Sequence, residues 1–234
     1  MGRKRRDIRI NVVWKEEKQV LTLEGEPVLE YRVSRPEVEG GGLGGHWITR
    51  YYRRLGETWE KRWRQQAYWE ACLELVRCRQ RGTPFVPWKG EMGGEVTFLK
   101  DGLLSLRMVG EETRADGKIS IVRWGDTWKI KEGAPCLPRE LPGIGKDWKR
   151  EARRSILEQG SVRQKAGDFV PDNGWESRIR GKLPLSALCV TEEGVELSYP
   201  QSVLAPAAEG TPTFLLRHCG GKKVESEIEI PGKN

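Results

Sequence analysis

The sequence has few of the side chains that enzymes and metal proteins use. Its only two histidines, His46 and His218, lie far apart and lack the spacing of metal ligands. A structural zinc site needs about four converging ligands, so we predict no metal centre. Cys136 has no histidine near it in sequence, and no phosphate-binding loop, nucleophile elbow or dinucleotide motif is present. We therefore predict a binding protein without catalytic residues or a cofactor, not an enzyme.

Long apolar runs and paired cysteines are also missing. No run of 18 apolar residues occurs, which excludes a membrane-spanning helix and favours a protein without a membrane partner. The five cysteines, an odd number without paired spacing, are typical of reduced thiols. We expect the protein in the cytoplasm, with the nucleus as the alternative. The basic segment Gly2–Arg6 is compatible with a nuclear-import or RNA contact and with a frayed terminus.

Basic charge and tryptophan are plentiful. The chain carries 41 basic and 34 acidic residues, for a net charge of +7 and a pI near 9.2, together with ten tryptophans. A basic balance with many aromatic rings favours a polyanionic partner, RNA before DNA. The composition leaves the oligomeric state open.

The segment His46–Arg81 has the pattern of one long amphipathic helix. It holds nine basic and four acidic residues, a net charge of +5. Apolar residues recur mostly three or four positions apart, as on one side of a helix: Ile48, Tyr52, Leu55, Trp59, Trp63, Trp69, Leu73 and Val76. We predict that this side packs on a sheet, with Trp59, Trp63, Trp69 and Leu73 among the most buried residues. The opposite, arginine-rich side is a candidate binding surface.

Alternating apolar residues predict strands on both sides of this helix. Asp7–Val33 fits a three-stranded meander with a charged turn at Lys15–Lys18. Ser34–Gly45 has the glycine content of a flexible linker. Glu95–Lys131 fits three or four antiparallel strands, because Asp101-Gly102 favours a tight hairpin turn. Asp116-Gly117 is a second candidate turn and Gly125-Asp126 a third. The predicted fold class is α+β, with antiparallel sheet packed by the long helix.

A second, basic helix is predicted at Asp147–Glu158, with Gly160 as its cap. Beyond Ser161 periodicity is weak, and we expect a loosely ordered C-terminal tail. Residues 1–160 would then form an α+β domain and residues 161–234 an irregular region. The candidate nucleic-acid contacts are the cations of the two helices: Arg50, Arg53, Arg54, Lys61, Arg62, Lys149, Arg150, Arg153 and Arg154.

The order of these pieces resembles a known family. A strand with the sequence "IRINVVW" precedes a Trp- and Arg-rich middle, the pair "GEVTFLKDGLLSLRM" and "GKISIVRWGDTWKI", a basic helix and "PLSALCV". This layout is similar to that of the lentiviral Vif accessory proteins. Pro184, Leu185, Leu188 and Cys189 match the opening of an Elongin-binding box.

The resemblance implies a viral adaptor that joins a host cytidine deaminase to an Elongin–cullin ubiquitin ligase through Elongin B/C. In that role "PLSALCV" would form a short helix with Leu185 and Leu188 exposed. The alternative is a basic RNA-binding or host-factor-binding protein without a ligase role. In that protein the segment would be buried or would form an edge strand paired with Val195–Tyr199.

Overall fold

The computed structural model of the protein describes residues 10–217, so Gly2–Arg6 and His218 lie outside the described residues. A six-stranded sheet forms the centre of the fold, with strands in the order of the chain. Its strands are β1 (Asn11–Leu23), β2 (Glu26–Glu39), β3 (Trp88–Lys100), β4 (Leu103–Thr113), β5 (Ile119–Lys129) and β6 (Ala134–Pro135). All neighbours are antiparallel except β2 and β3.

A helical connection joins the two parallel strands, as parallel neighbours require. It runs from Gly42 to Arg81, 40 residues in all, as α1 (Gly42–Arg62), a π-helical turn (Trp63–Ala67) and α2 (Tyr68–Arg81). The predicted long helix is thus confirmed, with a start four residues before His46. It covers one face of the sheet, where Leu104, Leu106 and Met108 of β4 belong to its apolar core.

The buried side of this helix changes at the π-helical turn. Trp63 is fully buried, as predicted, but Trp59 is only partly buried, and Trp69 and Leu73 are 62% and 57% exposed. Trp69 comes six positions after Trp63, and six steps of about 100° already place it about 120° away from Trp63 around the helix axis. The π turn closes i→i+5 hydrogen bonds and takes in about one extra residue, which moves Leu73 to the side opposite Trp63 as well. The prediction for Trp69 and Leu73 is therefore wrong. Small residues face the core instead, with Leu75: Ala67, Ala71 and Cys72.

The first two strands form one long hairpin, not a three-stranded meander. Its turn is at Glu24-Gly25, where φ is 55° and 85°, as a type I′ turn requires. The charged segment Lys15–Lys18 lies inside β1, and the first part of the expected linker, through Glu39, lies in β2. The charges are tolerated in the strands because they pair across them, as Glu17 does with Arg35.

The predicted hairpin of β3 and β4 is confirmed. Asp101 and Gly102 occupy its turn with φ of 54° and 75°. The turn expected at Gly125-Asp126 is wrong, because β5 continues through these residues to Lys129. A tertiary hydrogen bond explains the difference, since the Asp126 carboxylate accepts from the Tyr52 hydroxyl of α1 at 2.9 Å.

A second layer covers the opposite face of the large sheet. It consists of α3 (Trp148–Ala166), α4 (Trp175–Arg180), β7 (Leu188–Thr191), β8 (Gly194–Ser198) and β9 (Thr213–Leu216). The last three strands form a small antiparallel sheet with its own apolar cluster. The Val190 N–H donates to Ser105 Oγ of β4 at 2.9 Å, and Arg107 pairs with Glu196, which joins the layers.

The expected tail is therefore wrong for residues 161–217, which contain regular structure with buried apolar residues. Gly160 does not cap the second helix, which ends at Ala166 with Gly167 as its C-cap. A Cβ on Gly160 would overlap the Trp175 indole, so the glycine permits close packing of α3 on α4. The division of the chain at residue 160 stays a prediction; that position lies inside α3.

The α+β class with a mostly antiparallel sheet and one long helix is confirmed. Within residues 10–217, no helix has both the length and the apolar character that a membrane crossing requires.

Candidate functional site

An open groove of about 480 Å³ lies between α1 and β5. Side chains spaced one helical turn apart form the α1 wall, and alternate residues of β5 form the floor. The segment before β7 closes the outer side. The lining residues are Tyr51, Leu55, Trp59, Val122, Trp124, Gly125, Asp126, Leu185 and Ser186.

Two tryptophans form an aromatic platform in the groove. The rings of Trp59 and Trp124 are stacked, with centroids 6.2 Å apart and planes inclined by 10°. Gly110 of β4 makes this possible, because a Cβ there would lie 2.5 Å from the Trp59 ring. Tyr51 packs edge-on against Trp128, with the two ring centroids 5.0 Å apart. Its side chain is 40% exposed and extends the aromatic surface.

Asp126 lies beside this platform and is held in a chain of hydrogen bonds. The Trp128 Nε1–H donates to the Tyr52 hydroxyl at 3.0 Å, and that hydroxyl donates to Asp126 Oδ2 at 2.9 Å. Tyr52 and Trp128 are both buried, so the hydrogen bond from Tyr52 holds the Asp126 carboxylate from the core side. Asp126 is among the residues that line the groove, and a carboxylate has about four acceptor positions, of which the Tyr52 hydroxyl uses one.

Burial sets the ionisation of these groups. It raises the pKa of Asp126, while hydrogen bonds from the Tyr52 and Trp124 side chains act in the opposite direction. Burial also raises the pKa of Tyr51, and the charge of Asp126 adds to this effect. The pKa of Tyr52 is raised well above its usual value for the same two reasons.

The segment Pro184–Ala187 is fixed to the edge of β5 by backbone contacts. The Gly125 N–H donates to the Ser186 carbonyl at 3.0 Å, and Gly125 bridges to Ala187. A Cβ on Gly125 would overlap the Leu188 carbonyl, so only glycine allows this approach. Leu185, 37% exposed, thereby becomes part of the outer wall.

Asp126→Asn is expected to change how stability depends on pH. Because the pKa of Asp126 is raised in the folded protein, the unfolded chain loses this proton first as pH rises from about 4. The wild type should therefore lose stability relative to Asp126→Asn from that pH upward, until the folded pKa is passed. Urea unfolding of both proteins between about pH 3.5 and 7.5 measures the difference.

Asp116→Asn is the matched control, with the opposite sign. Hydrogen bonds from Lys118 lower the pKa of the exposed Asp116, so the wild type should gain stability relative to that variant as acid pH rises toward neutral. A stability difference between wild type and Asp126→Asn that is independent of pH, or that has the control's sign, would contradict the burial of Asp126.

The predicted nucleic-acid contacts do not form one surface. Those on α1 lie beside the large sheet and those on α3 beside the small one. Several are engaged locally: Arg53 with Glu57, Arg62 with Glu112, Arg150 with Asp147, Arg154 with Glu158, and Arg153 with the Gly181 and Lys149 carbonyls. Arg50 lies over the Trp47 ring, Lys149 lies beside Trp148, and Arg54 and Lys61 are exposed. A nucleic-acid role for these residues stays untested.

The structure separates the four predicted partner-binding residues. Leu188 and Cys189 lie in β7, 4% and 3% exposed, and pair with β8 as in the edge-strand alternative. Burial, with Glu196 nearby, raises the pKa of Cys189 to about 12. Pro184 and Leu185 precede the strand, and only Leu185 lines the groove. A helix that exposes Leu185 and Leu188 together is not formed.

The groove is not among the sites predicted from the sequence. The sequence predicts Asp126 in a turn and Trp59 in the core. Two local patterns mark the site: Tyr51, Leu55 and Trp59 are spaced by four, and Val122, Trp124 and Asp126 alternate along one strand. Within residues 10–217, no three His, Cys, Asp or Glu side chains come together as metal ligands.

The structure is similar to two crystal structures of bacterial proteins. One is a DUF3298 family member from Bacteroides fragilis, with a TM-score of 0.59, 12% sequence identity and 90% of each chain covered. The other is a DUF3298 family protein from Pseudomonas aeruginosa PAO1, with a TM-score of 0.53, 12% identity and 90% of each chain covered. No family model and no curated protein sequence matches the chain. The chain shares its fold with these bacterial proteins.

This similarity overturns the resemblance to Vif. The viral adaptor role is wrong, and so are Elongin B/C and a cytidine deaminase as its partners. The RNA-binding alternative has no support in these comparisons either. The similarity to these bacterial proteins establishes the fold alone.

Proposed function

We propose that the protein is a non-enzymatic binding protein whose groove holds a neutral saccharide. The observation that carries this proposal is the stacked Trp59–Trp124 pair beside Asp126 in an open groove. A flat apolar platform suits the C–H face of a sugar ring, and a fixed carboxylate accepts hydrogen bonds from its hydroxyls.

Charge argues against the other classes of ligand. An anion would meet the Asp126 carboxylate. A cation would be attracted by Asp126 but repelled by Arg54, which is exposed on α1 three positions from Tyr51. A purely apolar ligand would cover the carboxylate without supplying a donor, which costs free energy. A neutral ligand with several hydroxyl groups avoids all three penalties.

The absence of a second acid at the groove supports binding over hydrolysis. Glycoside hydrolysis commonly needs two carboxyl groups on opposite sides of the scissile bond. Among the groove-lining residues only Asp126 carries one. Tyr51 and Ser186 add hydroxyls that can contact further positions of a sugar.

A glycan array followed by isothermal titration calorimetry tests this proposal. Wild-type protein should bind neutral glycans in preference to charged ones. Asp126→Asn should weaken binding about tenfold or more, because a hydrogen bond to a charged group contributes about 1.5–3 kcal/mol. Val122→Lys should also weaken it, since Val122 is 53% exposed on the groove floor and its replacement leaves the core intact.

Asp116→Asn and Trp69→Ala are the controls, because both residues are exposed and lie outside the groove. They should bind as the wild type does. Selective binding of charged glycans, no glycan binding at all, or equal affinity of wild type and both groove variants would overturn the proposal.

A further inference from the structure

The outer side of α2 exposes a stripe of large apolar residues. Trp69, Leu73 and Val76 are 62%, 57% and 39% exposed and follow one another at spacings of four and three. They lie on the side of the helix away from Ala71 and Leu75, which are buried in the core. A contiguous exposed apolar patch of this kind is typical of a contact surface.

One flank of the stripe carries opposite charges at its two ends, so two antiparallel copies of α2 would place unlike charges opposite each other. Glu70 and Arg77 lie on one flank of the stripe, seven positions apart, and Leu73 lies midway along it. If a second α2 is placed antiparallel and centred near Leu73, Trp69 lies within one residue of the position opposite Val76 of the second copy. Leu73 then faces its own counterpart, and Glu70 lies within one residue of the position opposite Arg77 of the second copy. We propose that the protein forms a two-fold symmetric dimer through α2.

The charges identify a second copy as the occupant. Among residues 10–217 the Arg77 guanidinium has no ion-pair or hydrogen-bond partner. Glu70 accepts from Gln66 at 3.1 Å and lies 3.4 Å from Arg114, yet its side chain remains 39% exposed. A two-fold contact repeats each pairing twice, so one sequence supplies both halves of the interface.

The interface is small. A face of about two helical turns per subunit buries less than the roughly 1,200 Å² that marks the lower limit of standard interfaces. The dimer should therefore form at high micromolar concentration and dissociate on dilution.

Sedimentation velocity over about 5 μM to 1 mM tests the proposal on the full chain. Wild type should shift from monomer to dimer across this range. Arg77→Glu places like charges opposite each other twice and should weaken association about tenfold or more. Glu70→Arg combined with Arg77→Glu restores opposite charges and should recover most of the wild-type association. Leu73→Asp should abolish association without loss of folding, since Leu73 is exposed.

Arg53→Glu is the matched control, because Arg53 is exposed on α1 away from the stripe. It should associate as the wild type does. A wild type that stays monomeric up to 1 mM, or a double charge swap that associates no better than Arg77→Glu, would overturn the dimer.

Discussion

Trp63→Ala is expected to lower the free energy of unfolding by about 3–5 kcal/mol. Trp63 is fully buried at the π-helical turn, with the Tyr31 and Trp59 rings 5.3 and 5.4 Å away. Its indole also lies against Gly90 of β3, where a Cβ would come within 2.5 Å of Cε2. Removing the ring leaves a cavity that the sheet and helix cannot close. Urea unfolding followed by circular dichroism measures the loss.

Trp69→Ala is the matched control, with the same substitution six positions along the same helical segment. Because Trp69 is 62% exposed, its replacement should change stability by about 0.5 kcal/mol or less. Equal losses from the two substitutions would contradict the burial of Trp63 and the exposure of Trp69 on this helix.

Gly44→Ala is expected to destabilise the protein by about 3 kcal/mol through overpacking. Gly44 lies in the first turn of α1 and packs directly on the loop after β5. A Cβ there would overlap the Ile130 carbonyl oxygen and lie 2.8 Å from the Lys131 oxygen and the Gly133 nitrogen. Backbone atoms cannot rotate away as a side chain can, so the helix or the loop has to move. Thermal and urea unfolding measure the effect.

Gly56→Ala separates this clash from the general effect of alanine in a helix. Its nearest neighbours are side-chain atoms, Cδ and Cγ of Arg35 at 2.5 and 3.0 Å and Cγ1 of Val33 at 3.2 Å, instead of the backbone atoms that face Gly44. Alanine gains up to about 1 kcal/mol over glycine in a helix, so this variant should stay within about 1 kcal/mol of the wild type. A Gly44→Ala protein as stable as Gly56→Ala would contradict the packing of α1 on the Ile130–Gly133 loop.

Local patterns predicted the elements whose structure depends on nearby residues. The long helix followed from apolar spacing around Ile48, Tyr52 and Trp63, which are all buried. The β3–β4 hairpin followed from Asp101-Gly102, because these residue types tolerate the positive φ that the turn needs.

Errors arose where a distant contact or a helical irregularity decided the structure. The six-residue gap between Trp63 and Trp69 breaks the apolar spacing and places Trp69 about 120° from Trp63 around the helix axis, and no sequence period shows the extra residue that also moves Leu73 away from the core. The sequence around Leu188 is compatible with a short helix and with a strand. The strand forms because it pairs with β8 and because Leu188 is buried in the apolar core of the small sheet. Residues 161–217 lack strong periodicity because their elements are short and depend on tertiary packing.

The groove could not be assembled from the sequence for the same reason. Tyr52 and Asp126 are 74 positions apart, yet their side chains form a hydrogen bond. The chain of contacts from Trp128 through Tyr52 to Asp126 exists only when α1 lies across β5. The sequence shows the residue pattern of each groove wall, but only the folded structure shows that α1 and β5 lie next to each other.

Nuclear magnetic resonance of the tryptophan indole N–H groups tests the proposed saccharide groove most directly. A neutral glycan selected by the array is titrated into ¹⁵N-labelled protein at a concentration below that of dimer formation. The indole signals of Trp59 and Trp124 should shift, because these rings form the platform, while that of exposed Trp69 should not. Shifts at Trp69 with unchanged Trp59 and Trp124 signals would contradict the proposed site, as would the absence of any shift at those two rings.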